Sequence, residues 1–408
     1  MDGYLKRILN ARVYDVAIET PLESAPNLSA RTGNTLLLKR EDMQPVFSFK
    51  LRGAYNRMAQ LTPGQLKRGV IAASAGNHAQ GVGYFARQLG IPAIIVMPKN
   101  TPFTKISRTE ALGAKVVLHG NGFMQARDHA LELSNKDGYA FVHPYDDERV
   151  IAGQGTVAIE MLEQKPDLDA MIVSIGGGGL ISGMGIAAKV MKPEIEVYGV
   201  QAALFPSMFD AYHQVVTEYS GDQTIADGIA VKEPSVRTHA IIDRVVDDVF
   251  LAGEIEIEQA IQDYLEVQRI IAEGAGAAPL AALMRNKDRF KGKSVGLVVS
   301  GGNIDSRMLS SILMRGLARE GRLASLRINI PDMPGVLAII AKIIGDSGSN
   351  IIEVHHQRLF SDVALKQTQI DVAVETIDRK HVQGLVDKLC DAGFDTKVMS
   401  TTAVEGER

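Results

Sequence analysis

Short β-branched runs recur along the chain at VIAAS (70–74), AIIVMP (93–98), KVVLHG (115–120), AMIVSIGGGG (170–179), EVYGVQ (196–201) and SVGLVVSGGN (294–303), with helical stretches between them. Runs of this kind suit strands covered on both faces, and their alternation with helices suits parallel sheets. The expected class is therefore α/β, with open parallel sheets. Most of the runs end in small or polar residues, at the carboxyl edge where such sheets place their ligands.

The pattern changes at GLAREGRLA (316–324), a charged, glycine-punctuated stretch that reads as a linker. Beyond it SLRINI, NIIEVHHQRL, KQTQIDVAVET and FDTKVM read as strands, and PGVLAIIAKIIGDSG and KHVQGLVDKLCDAG as helices. That order, βαββαβ in about 75 residues, is the ferredoxin-like arrangement and carries no catalytic constellation of its own.

The 408 residues have a net charge of only −4, with no basic footprint for nucleic acid, so small-molecule chemistry becomes the default. The single cysteine, Cys390, can make neither an internal disulfide nor a metal site alone. No apolar run approaches the roughly 20 residues needed to span a bilayer. The first residues, MDGYLKRILNARVYDV, do not read as a secretory leader, so the expected location is the cytoplasm, with no membrane partner.

Four stretches could carry chemistry. Gly176, Gly177, Gly178 and Gly179, followed by Leu180, come directly after a strand-like run. Successive glycines can turn backbone amides into one concavity and open a helix whose N-terminus favours an anion. A merely flexible loop is the bland alternative. No Gly-Lys-Ser/Thr follows, which argues against a nucleotide triphosphate, and the dinucleotide fingerprint fits badly, so a phosphate monoester on a cofactor remains. Ser74-Ala75-Gly76-Asn77-His78 also follows a strand and opens a helix; it suits helix capping, or a carboxylate held on unpaired amides. Ser300-Gly301-Gly302-Asn303 reads first as a turn, but its hydroxyl could reach the same crevice. Lys50 would ordinarily be solvated. Phe47, Phe49 and Leu51 around it would lower an amine's pKa, and a neutral amine can form a Schiff base with an aldehyde cofactor. A phosphate cradle and a desolvated lysine together imply pyridoxal phosphate.

SFKLRGAYN, SAGNHAQG, PYDDERVIAGQGT (144–156), GGGGLISG, TIADGIAV (224–231), EGAGAAP (273–279) and SGGNID, in this order, resemble the threonine dehydratases (threonine ammonia-lyases) among the fold-type II pyridoxal-phosphate enzymes. The resemblance covers residues 10–315. It implies a catalytic domain over 1–315, of two open parallel-sheet subdomains, the smaller (about 51–150) inserted in the larger. The tail, 325–400, with Asp332-Met333-Pro334-Gly335 and Gly348-Ser349-Asn350-Ile351, resembles an ACT regulatory domain.

Carried over by position, Lys50 would hold the cofactor as a Schiff base and later remove the substrate's α-proton, and Phe49 would lie against the pyridine ring. Asn77 would meet the ring's phenolic oxygen. Ser74, Ala75, Gly76, Asn77 and His78 would line the substrate carboxylate site. Gly176 to Gly179 and the amide of Leu180 would hold the phosphate, which could itself protonate the departing hydroxyl, and Ser300 would meet the pyridine nitrogen. The implied reaction is β-elimination from L-threonine, giving 2-oxobutanoate and ammonia, and from L-serine, giving pyruvate. Relatives that racemise serine carry a second serine where this chain has Ala75, which disfavours racemisation. They also use two carboxylates for a divalent cation where Gln201 and Ser207 stand here, so no divalent metal site is expected, although a monovalent cation on backbone carbonyls is compatible. Serine or threo-3-hydroxyaspartate as substrate, β-replacement, and a non-catalytic amino-acid sensor are the competing readings. For the tail, the alternatives are a dimerisation module and feedback control by a branched-chain amino acid, with Gly335, Asn350 and Ile351 lining the effector site. A homo-oligomer, dimer or tetramer, is expected.

Overall fold

The computed structural model describes residues 2–218, 223–357 and 367–399. It contains two compact units, Met1–Ile304 and Asp305–Arg408. All six β-branched runs become strands, and they divide between two sheets of the first unit.

The larger sheet has the spatial order Leu22–Ser24, Thr35–Arg40, Ser294–Val299, Ala170–Ser174, Glu196–Ala202, Asp248–Ala252. It is parallel except for its first, antiparallel pair. The smaller sheet, Lys115–Leu118, Ala93–Met97, Val70–Ala73 and Ala140–Phe141, is parallel throughout. Each has its own apolar core, one around Met171, Val173, Ile181 and Met184, the other around Leu51, Met58, Val82 and Phe85. The strands missing from the sequence reading are short or carry charge. Thr35–Arg40 contains Lys39, fully buried, and Ala140–Phe141 is two residues long.

Three helices bring the sheets' ends together: Lys50–Met58, Glu148–Gln164 and Gly179–Met191. They pack at backbone distance through glycine. A Cβ on Gly153 would lie 2.7 Å from the carbonyl oxygen of Arg52, and one on Gly183 would lie 2.2 Å from that of Ile151. Backbones this close admit no side chain. The middle helix therefore fixes the positions of two helix N-termini, one beginning at Lys50 and the other at Gly179.

The second unit opens with the helix Ser306–Glu320 and continues as Leu323–Pro331, Val336–Asp346, Asn350–Gln357, Gln367–Glu375, Arg379–Asp391 and Thr396–Met399, which is the expected βαββαβ order. Its sheet is antiparallel, in the order Asn350–Gln357, Gln367–Glu375, Leu323–Pro331, Thr396–Met399. Residues 358–366 and 400 of the expected domain, among them 358, 359 and 366 of the expected strands, lie outside the described residues. The linker reading of 316–324 is corrected. Gly316 to Glu320 continue a helix capped by an Asp305 carboxylate, Gly321 ends it in the left-handed conformation (φ 73°), and the strand starts at Leu323. Arginines at helical spacing on an amphipathic face look like a charged connector when read alone. Among the described residues no helix is long and apolar enough to cross a membrane.

Candidate active site

The segment before Lys50 and the SGGN turn are tied together through the backbone. Phe49 N donates to Ser300 O at 3.1 Å, Gly302 N donates to Phe47 O at 2.9 Å, and Ser48 and Gly301 form an antiparallel bridge. Phe47 takes a left-handed φ of 56° to make this turn, a conformation that costs an L residue about 1 kcal/mol or more and so marks a segment held by its surroundings. Lys50 is the first helical residue after it.

Its Nζ donates to Pro144 O at 3.0 Å and sits 5.2 Å from the centre of the Phe49 ring. Burial lowers the ammonium pKa to about 8, against the opposing charge of Glu273. The lysine is thus partly a free amine near neutral pH, as a Schiff-base lysine must be.

The loop that supplies Pro144 also shapes the glycine run. His143 Nδ1 accepts from the amide of Asp146 at 2.7 Å, leaving that nitrogen bare, and burial holds the imidazole at a pKa of about 4, so it is neutral. The Tyr145 ring then packs onto the glycines: a Cβ on Gly177 would fall 2.3 Å from its carbons, and one on Gly179 2.9 Å from its backbone. Gly178 has φ 86°, a left-handed turn that glycine enters without strain, and Thr238 Oγ1 donates to Gly177 O at 2.7 Å. The helix from Gly179 follows, and its first N–H groups have no intrahelical acceptor. A bare amide cradle at a helix N-terminus beside an amine of lowered pKa fits the phosphate and the aldehyde of pyridoxal phosphate.

Across from it, Ser74, Ala75, Gly76 and Asn77 are all half-buried, and Ser74 Oγ accepts from Gly76 N at 3.2 Å at the start of the helix Asn77–Leu89. His78 is different. It is buried, its Nε2 donates to Val142 O at 2.8 Å, and burial takes its pKa down to about 3. It braces the smaller sheet as a neutral ring and cannot serve as an acid. The Asn77 amide is engaged at both ends, Nδ2 donating to Glu273 Oε1 at 2.6 Å and Oδ1 accepting from Asn303 Nδ2 at 2.8 Å. Burial, helped by the Asp227 charge, pushes the Glu273 carboxyl up to about 7.

Several residues near the site had no role in the sequence reading: Tyr145, His143, Glu273, Asn303 and Arg52. Arg52 lies within the motif that carries Lys50. It is fully buried and donates from Nε and Nη2 to both Glu41 oxygens at 2.8 Å, and to Glu160, which also pairs with buried Lys39 at 2.6 Å. Gln201 and Ser207 have structural work: Gln201 Oε1 accepts the amides of Met208 and Phe209, both at 2.8 Å, and Ser207 Oγ donates to Val231 O. Among the described residues no group of three or more His, Cys, Asp or Glu could hold a metal ion. The effector candidates are not brought together. Gly335 precedes the helix Val336–Asp346 and Asn350 and Ile351 follow it, so they lie at opposite ends of an 11-residue helix, about 16 Å long.

A family model described as "Pyridoxal-phosphate dependent enzyme" matches residues 13–301. The chain belongs to this family. Its cofactor is pyridoxal phosphate. Family members of high similarity include an L-threonine ammonia-lyase of Thermotoga maritima, 43% identical over 94% of this chain and 96% of its own length. Another, from Geobacter sulfurreducens, is 40% identical over 93% and 95%. Among solved structures, the processed form of threonine deaminase isoform 2 from Solanum lycopersicum superimposes with a TM-score of 0.73 at 42% identity, covering 77% of this chain and 87% of that one. Maize serine racemase superimposes with a TM-score of 0.71 at 31% identity, covering 77% and 98%.

Proposed function

We propose that this chain is an L-threonine ammonia-lyase (EC 4.3.1.19), converting L-threonine into 2-oxobutanoate and ammonia and L-serine into pyruvate and ammonia. The observation that carries it is the convergence of a lysine amine of lowered pKa with a glycine cradle shaped by the same loop, in a chain whose threonine ammonia-lyase relatives match nearly end to end.

Bound pyridoxal phosphate supplies the electron sink that makes the substrate's α-proton removable. The protein's own residues do the rest. The Ser74–Asn77 turn receives the carboxylate on the N-terminus of its helix, which orients the α-carbon. Lys50, freed as an amine, takes the α-proton, and its lowered pKa lets it hold and release that proton near neutrality. The β-hydroxyl leaves as water, and hydrolysis of the dehydrated amino acid gives the 2-oxo acid and ammonia. Ser300, buried beside the lysine's turn, is assigned to the pyridine nitrogen, and Phe49 to the ring face.

The similarity to serine racemase raises a second reading. Ala75 offers no proton on the opposite face, which favours elimination over racemisation. We assign the βαββαβ unit an ACT-like regulatory role. A site built from Gly335 with Asn350 and Ile351 then needs two copies of the chain, consistent with a homo-oligomer. A panel of L-threonine, L-serine, threo-3-hydroxyaspartate and their D forms, scored for 2-oxo acid and ammonia, tests the assignment. L-Threonine is expected to give both products fastest; chiral inversion without ammonia would refute it.

A further inference from the structure

Two polar side chains from distant parts of the chain, Glu273 and Asn303, meet at Asn77, and the hydrogen bonds can be read in one order only. Val46 offers a backbone carbonyl, which can only accept. Asn303 therefore presents its NH₂ there, at 2.9 Å, and the same nitrogen lies 2.8 Å from the Asn77 amide. Both hydrogens of Asn303 are used, so the Asn77 atom that faces it must be the oxygen. That choice turns the Asn77 nitrogen toward Glu273, whose Oε1 accepts one of its two hydrogens at 2.6 Å. One N–H of Asn77 remains.

The arrangement is built in. Gly301 admits the carboxyl, because a Cβ there would fall 2.5 Å from Glu273 Oε1. Glu273 N donates to Gly301 O at 3.0 Å, and Gly301 is itself bridged to Ser48, two residues before Lys50. Each partner of Asn77 is thus anchored by backbone to the segment carrying the lysine.

We propose that Asn303 and Glu273 are positioning residues that lock the Asn77 amide so that it meets the cofactor's phenolic oxygen as a donor and never as an acceptor. The inference rests on the cofactor assignment and on Asn77 as the partner of that oxygen, and is independent of which amino acid is consumed. A donor at the oxygen draws off negative charge and lowers the proton affinity of the neighbouring imine nitrogen. A rotated amide would set its own oxygen against the ring oxygen and raise it.

The test is a pH titration of the visible absorption band of holoenzyme, in wild type, Asn77→Ala, Asn303→Ala and Asn303→Asp, together with cofactor affinity by absorbance titration of each apoprotein. Asn303→Asp substitutes acceptors for donors, which drives the Asn77 amide to rotate. Its titration midpoint is expected to rise by about one pH unit, at least as far as in Asn77→Ala, with cofactor affinity about tenfold weaker. Asn303→Ala should fall between it and wild type. For Glu273, the Gln variant keeps an accepting oxygen and should retain wild-type affinity, whereas Glu273→Ala should match Asn303→Ala. Asn303 variants that lower the melting temperature while leaving the midpoint within 0.2 units would overturn the proposal, roughly the level at which a purely structural role is indicated. Loss of threonine turnover with a normally titrating wild-type band would count against the substrate reading alone, and the midpoints would still decide this one.

Discussion

Replacing Arg52 with Met should be among the most damaging single changes in the catalytic unit, although its side chain is assigned no contact with substrate or cofactor. Arg52, Lys39, Glu41 and Glu160 form a buried cluster of two cations and two carboxylates, with Arg52 and Glu41 at 0% exposure. Burial alone would raise the Glu41 pKa, yet the Arg52 charge and hydrogen bonds bring it below the usual carboxylate value. Removing one member of a buried ion cluster typically costs ~3–5 kcal/mol, because it leaves an uncompensated charge. For a unit of this size that is a fall in melting temperature of roughly 6–10 °C. Glu41 also sets the sign of the pH dependence. Its folded pKa is depressed, so wild type gains stability above the unfolded value of 4.5 and loses it as pH falls. Without Arg52 that gain becomes a burial penalty, so the gap between wild type and variant should widen toward neutral pH and narrow toward pH 5. Adding Glu41→Gln to Arg52→Met leaves Lys39 paired with Glu160 and should recover about half of the loss. Calorimetric scans of the holoenzymes at several pH values measure all of this; a single-variant cost below about 1 kcal/mol, or a double variant as unstable as the sum of its parts, would show that the four charges do not act as one cluster.

Gly177→Ala places a methyl group 2.3 Å from the Tyr145 ring, so cofactor affinity should drop more than tenfold (about 1.4 kcal/mol), with partial recovery in Gly177→Ala/Tyr145→Ala; absorbance titration reads it. Lys50, with a pKa of about 8, is mostly charged at pH 7 and mostly neutral at pH 9. Cofactor recombination with apoprotein should therefore accelerate several-fold across that window and level off above it, instead of climbing toward the ordinary lysine value of 10.5. Glu273 has its folded pKa raised from 4.5 to about 7, so wild type loses stability as pH rises through that window. Glu273→Gln should stabilise apoprotein by up to about 3 kcal/mol at pH 8 and by nearly nothing at pH 4.5, as thermal melts at the two pH values will show.

Most of the site residues that could be recognised in sequence share one property: each sits at the carboxyl end of an apolar strand or at the helix start just after it. Ser74 and Ser300 follow a buried strand directly and the glycine run follows one after Ile175, so local pattern alone puts them at strand carboxyl ends, Ser74 on the smaller sheet and the others on the larger. Lys50 lacks that signal and became interpretable only through the distant glycines. Residues that work by long-range contact leave no local trace. Glu160 is 108 positions from Arg52, Glu273 is 196 from Asn77, and Asn303 is 226 from it. A charged residue inside a strand, as at Lys39, even weakens the strand signal, because its reason for burial is Glu160 on a helix. The helix over 306–320 was hidden for a related reason: an exposed helix with several arginines reads as a connector until its Asp305 cap is seen.

Lys50, in the cradle described, is the residue on which threonine deamination depends. Incubating cofactor-saturated wild type and Lys50→Ala with L-threonine, and following 2-oxobutanoate and ammonia together, tests it most directly. Wild type should give equal amounts of the two products, and Lys50→Ala, which lacks both the cofactor anchor and the α-proton base, a rate lower by at least about a thousandfold. Turnover by Lys50→Ala near the wild-type rate, or no 2-oxobutanoate from loaded wild type, would contradict that dependence.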